Sequence, residues 1–186
     1  RGLVRIHVSQ NHAIYGPYQG TPRQRGLSSK IERELVLHEL SSNQRGDLRR
    51  IIAQAGLECI GLHWLLAKTE GLHVTSPDAN TRSRTISYLT DLARLCRDLG
   101  GKTLVFGSPQ QRSLMADVTE QDAHLFLEEV FGALVPALEE TDTVLALEPL
   151  APIETNVLTT ADETRHLIDS IGSPHIRLHL DVKAMA

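Results

Sequence analysis

From Ser42 onward the chain alternates helix-period and strand-period segments without a break, and this alternation most narrows the folds open to it. Ser42 is placed to cap a first helix, with Leu48, Ile51, Ile52 and Ala55 on its inner face and Gly56 as its stop. The apolar run Leu57 to Leu66 is short enough for a strand. Ser76-Pro77-Asp78 opens a second helix, since serine caps, proline suits the first turn and aspartate suits the positive end. Ile86, Leu89, Leu92, Ala93, Cys96 and Leu99 then recur at helical spacing until Gly100-Gly101. Thr103 to Ser108 reads as the next strand. Thr119 caps a third helix whose inner face carries Ala123, Leu127, Val130, Phe131, Leu134 and Leu138, and Pro136 predicts a bend or early end. Thr143 to Leu150 is a strand, Thr160 with Glu163 makes a capping box for a fourth helix, and His175 to Val182 is the last strand.

Such alternation implies a parallel sheet with helical crossovers, either doubly wound or closed as a barrel. The last strand decides between them. His175, Arg177, His179 and Asp181 point one way, and Ile176, Leu178, Leu180 and Val182 the other. A doubly wound sheet is apolar on both faces. A barrel gathers polar groups at strand C-termini around its axis. By the same alternation Leu62, Leu104, Phe106, Leu145 and Leu147 face the helices, while Gly61, His63, Val105, Gly107, Ala146 and Glu148 face inward. A full barrel typically takes about 250 residues. The 186 residues here show four clear strand–helix units. The expectation is an α/β fold, a partial (β/α) barrel, spanning residues 42–186, with its last strands missing.

Residues 1–41 read differently. Leu3 to Val8 alternates like a strand, Asn11 to Ser28 lacks any apolar period, and Lys30 to Leu40 could form a short helix. Composition narrows the function. A net charge of −4 argues against a nucleic-acid partner, and no apolar run approaches a membrane span. Two cysteines, Cys59 and Cys96, cannot build a zinc cluster and read as buried thiols. The absence of a signal-peptide layout predicts a cytoplasmic setting.

The chemistry gathers at strand ends. Glu148 closes one strand and Asp181 occupies the same place on the next. Two carboxylates on adjacent parallel strands can approach one cation, and oxygen ligands beside imidazole suit Mn²⁺, Mg²⁺, Co²⁺ or Zn²⁺. Alternatively Asp181 pairs with Arg177 or Lys183, and Glu148 caps a loop amide. His63, inward at its strand end, suits a substrate hydroxyl, a proton shuttle or a structural hydrogen bond. Trp64 beside it could wall a sugar or pack on a helix. Glu154 and Asn156 follow Glu148 in one loop, within reach of a ligand. Lys183 shares the face of Asp181 and suits an oxyanion or that carboxylate. Nucleotide-binding, serine-hydrolase and zincin motifs are absent.

The segments Gly61-Leu62-His63-Trp64, Val105-Phe106-Gly107-Ser108-Pro109, Leu147-Glu148-Pro149-Leu150 and His179-Leu180-Asp181-Val182-Lys183-Ala184-Met185 resemble the sugar phosphate isomerase/epimerase family. This is the xylose-isomerase-like TIM barrel group that also holds tagatose epimerases and endonuclease IV. The resemblance implies that the four strands are the third to sixth of a barrel. It implies one divalent metal held by Glu148, Asp181 and two ligands on strands seven and eight, with Glu148 also moving a proton through an enediolate. Glu154 matches a substrate-contacting glutamate of that family. The implied partner is a small sugar or sugar phosphate. Epimerases and endonuclease IV commonly carry Asp-x-x-His after strand six, whereas this chain has Ala184 there, which weighs against an endonuclease-IV-like hydrolase. A third reading is a non-catalytic barrel remnant that pairs its open edges in a homo-oligomer.

Overall fold

The structure is a computed structural model that describes residues 5–10 and 40–182. The expected irregular stretch 11–28 and the helix expected from Lys30 lie outside the described residues, as does Lys183. Five strands form one sheet in sequential order. These are β1 (Arg5–Gln10), β2 (Leu57–His63), β3 (Thr103–Phe106), β4 (Val144–Leu147) and β5 (Ile176–Leu178). Helices α1 (Ser42–Gln54), α2 (Ala79–Leu99), α3 (Glu120–Thr141) and α4 (Ala161–Ile171) alternate with β2 to β5. Strands β2 to β5 pair in parallel. β1 pairs antiparallel with β2 and skips Ile60 at a bulge. The four parallel strands and their crossover helices make an α/β partial TIM barrel.

The inner helix faces are as read, with Leu89, Leu92, Cys96 and Leu99 of α2 and Leu127, Val130, Phe131 and Leu134 of α3 all buried. The outward strand residues Leu62, Leu104, Phe106, Leu145 and Leu147 are each at most 1% exposed beneath the helices. Phe106 meets Phe131 edge-on at 5.1 Å between ring centroids, locking β3 to α3. Cys59 and Cys96 are buried free thiols, and desolvation pushes them up to about 11 and about 12 respectively.

Several element ends differ from the sequence reading. Ser41, not Ser42, caps α1 in a box with Gln44, because only Ser41 has extended backbone and an oxygen facing the Gln44 N–H. Asp78, not Ser76, caps α2, accepting from Asn80 and Thr81 at 3.1 Å each. Ile51 is half exposed, so the inner face of α1 rests on Leu48 and Ile52. Pro136 does not end α3, which runs on to Thr141. Thr119 caps that helix in a box with Asp122, an arrangement worth about 1 kcal/mol. Glu163 reaches past Thr160 to the amides of Leu158 and Thr159, both at 2.8 Å, so only half of the expected box forms at α4. The strands β3, β4 and β5 end earlier than expected, because their last residues turn into the loops that carry the polar groups.

No helix among the described residues is long and apolar enough to cross a membrane.

Gly61 is where the sheet is tightest. A Cβ there would overlap the Thr103 carbonyl oxygen of β3, and neither backbone can yield without breaking the ladder. Gly61→Ala is therefore expected to lower stability by at least about 2 kcal/mol, read as a fall in the urea midpoint. A variant as stable as the wild type would show that β2 and β3 are spaced more loosely than described.

Candidate functional site

Parallel pairing brings the C-terminal ends of β2 to β5 to one end of the sheet, where loops 64–78, 107–119, 148–160 and the residues after β5 gather. A cavity of about 900 Å³ opens there. His63, Trp64, Glu148, Glu154 and Asp181 all line it, as read from the sequence. The inward strand residues Gly61, Thr103 and Val105, with Gly107 just past β3, also line it.

Glu148 is fixed through its backbone. Its N–H donates to the Phe106 carbonyl at 3.0 Å, extending the β3–β4 ladder one step beyond the strand. Its carboxylate rests against Gly107, and a Cβ at that position would stand 2.7 Å from Oε2. Glycine at 107 is thus what lets the carboxylate cross to the β3 end. Burial raises the proton affinity of Glu148 above the ordinary carboxylate range. His179 opposes this, Asp181 and Glu154 add to it, and Arg112 opposes it. His179 is held beside it by its own N–H, which donates to the Leu147 carbonyl at 2.8 Å.

Trp64 follows β2 with left-handed backbone (φ 60°) and is 43% exposed at the cavity wall. Ser108, after β3, is also left-handed (φ 44°), and its Oγ accepts the Leu66 N–H at 3.2 Å. Non-glycine residues rarely adopt this conformation, and such strain clusters at functional sites.

The remaining candidates lie elsewhere. The Asn156 side chain does not line the cavity; its Oδ1 accepts the Leu114 N–H at 2.9 Å and ties two loops together. Ser113 adds a second tie, its Oγ 3.1 Å from Thr155 Oγ1. Residues to which the sequence reading gave no role in the site also enter it. His179, Gln111 and Lys68 line the cavity. Arg112, fully buried, donates to the Glu148 carbonyl at 2.7 Å and to the Leu158 carbonyl at 3.3 Å. The inward alternation of the last strand already aimed His179 at the axis. Nothing local marks Arg112, whose acceptors lie 36 and 46 residues away.

The donor chemistry suits a hard divalent cation, since Glu148 and Asp181 both line the cavity. Among the described residues no group of three histidine, cysteine, aspartate or glutamate side chains is poised to hold a metal.

Comparison with known proteins agrees with this geometry. Residues 29–186 match the family described as xylose isomerase-like TIM barrel. No curated protein matches the sequence. Among solved structures, a D-psicose 3-epimerase aligns with a TM-score of 0.70 at 16% identity, covering 80% of this chain and 51% of that one. An L-ribulose 3-epimerase aligns at 0.63 and 24% identity, covering 75% and 46%. A 3-keto-D-glucoside 4-epimerase from E. coli aligns at 0.67 and 15% identity, covering 77% and 56%. The chain thus spans about half the length of the structures it matches.

The raised proton affinity of Glu148 has a consequence for stability. Its ionised form opposes folding, so its contribution is fully present below the ordinary carboxylate range and is lost as pH rises through the folded value. Glu148→Gln is expected to have a denaturation midpoint at pH 7 at or above that of the wild type, with the difference vanishing below about pH 4. A variant clearly less stable at pH 7 would contradict a carboxylate held against its desolvation cost.

Proposed function

The chain belongs to the xylose isomerase-like TIM barrel family, and from that premise we propose that it acts on a small sugar or sugar phosphate as a metal-dependent isomerase or epimerase. The observation that carries this reading is the cavity at the strand C-termini, where Glu148, Glu154 and Asp181 converge and Glu148 is held against Gly107 with raised proton affinity. The likeness of the fold to sugar 3-epimerases supports it.

Glu148 and Asp181 would hold a divalent ion, with water and substrate oxygens taking other positions. Such an ion, when bound, polarises a carbonyl and an adjacent hydroxyl of the sugar. Glu148 is the proton-moving group. It removes the proton from the carbon next to the carbonyl, and the substrate passes through an enediolate. A solvent proton delivered to the same carbon from the opposite face gives an epimer, with Glu148 releasing its proton to water, and transfer of the Glu148 proton to the neighbouring carbon gives an aldose–ketose isomer.

The other cavity residues bind. Glu154 and His63 meet hydroxyl groups with opposite preferences, the carboxylate accepting and the imidazole able to do either. Trp64 presents an aromatic face of the kind that packs on the C–H side of a sugar ring. The cavity volume leaves room for a monosaccharide with its waters.

Proton abstraction can be read without knowing the preferred sugar. In D₂O with Mn²⁺, D-psicose or L-ribulose is expected to take up deuterium beside its carbonyl, followed by NMR. Glu148→Gln, which keeps the shape and loses the base, should slow uptake by at least about 100-fold. Uptake equally fast in Glu148→Gln would remove Glu148 from the proton-moving role.

A further inference from the structure

Loop 148–160 begins and turns back at two carbonyls that the same side chain holds. The Arg112 guanidinium, from the loop after β3, donates Nη1–H to the Glu148 carbonyl at 2.7 Å and Nη2–H to the Leu158 carbonyl at 3.3 Å. Leu158 closes the neck from the other side, its carbonyl accepting the Leu150 N–H at 3.2 Å. Leu158 is fully buried with left-handed backbone (φ 54°), a conformation that a branched apolar residue keeps only when its surroundings impose it. Between the two carbonyls runs the segment that carries Glu154 into the cavity.

We infer that Arg112 is the positioning residue of the site: its guanidinium clasps the neck of loop 148–160 and so sets where the carboxylates of Glu148 and Glu154 stand in the cavity. This rests on the metal-dependent reading above for its effect on binding, while the clasp itself does not. Arginine suits the task because its planar fork holds donors to both carbonyls in fixed geometry, whereas lysine offers a point charge on a flexible stem. Glu148, Glu163 and Glu154 all favour the charged form of Arg112, against the burial that pushes it down to about 10.

The test compares Arg112→Lys and Arg112→Met with Leu138→Ala, which truncates a buried α3 residue that does not line the cavity. Global stability, amide exchange and Mn²⁺ affinity are measured on each full chain. Arg112→Lys is expected to speed exchange of the Leu150 and Leu158 amides at least tenfold relative to β3 and β4, and to weaken Mn²⁺ binding at least tenfold. Leu138→Ala should lose global stability yet keep wild-type Mn²⁺ affinity and loop protection. Should Arg112→Met fail to fold, Arg112→Lys still carries the comparison. Unchanged loop protection in Arg112→Lys overturns the clasp. Unchanged Mn²⁺ affinity in Arg112→Lys, with binding lost in Glu148→Ala, overturns its effect on the carboxylates. If Glu148→Ala itself leaves Mn²⁺ binding unchanged, the metal reading fails, and the loop exchange alone upholds or overturns the clasp.

Discussion

Parallel pairing of β2 to β5 is the constraint on which the rest of the molecule depends. Parallel neighbours cannot be joined by tight turns, so each pair needs a crossover, and here each crossover is a helix over one face. That face becomes the core. The other is left to small and polar residues, and the C-termini of β2 to β5 arrive at the same end. Glu148, one residue past β4, and Asp181, three residues past β5, both come to line the cavity at that end, although the register sets His179 rather than Asp181 opposite Glu148. The site follows from topology before any side chain is chosen for its chemistry.

Glycine makes the close approaches possible. Gly61 lets β2 and β3 pair where a Cβ would strike the Thr103 carbonyl, and Gly107 leaves the space that the Glu148 carboxylate fills. The second has a direct chemical result. A carboxylate laid over bare backbone loses water on one side, and its proton affinity rises. Asp181 and Glu154 reinforce the rise, which a cation between them would reverse. Glu148 is therefore held where its ionised form costs stability.

Much of this was legible in the sequence. The apolar periods of α2 and α3 gave their buried faces residue by residue, because a helix against a sheet must bury one stripe. Period-two alternation in the short strands separated Leu145 and Leu147, under the helices, from Glu148 and Asp181, at the cavity. Strand ends were less legible. Leu57 to Leu66 and His175 to Val182 are apolar enough to continue as strands, and only the turn at Trp64 and the loop after Leu178 end the pairing. The antiparallel direction of β1 has no local signature either, since alternation marks a strand but not its sense. Asn156 and Arg112 were illegible for a different reason. Both lie in loops, and both act through backbone groups brought near by the fold, so no spacing in the sequence records the contact.

The account stands on Glu148 and Asp181 sharing one cation. The most direct measurement is an anomalous difference map from crystals of this protein soaked in Mn²⁺. The account predicts a single strong peak in the cavity within bonding distance of both carboxylates. A cavity without a peak at saturating Mn²⁺, or a peak bound by neither Glu148 nor Asp181, would contradict it.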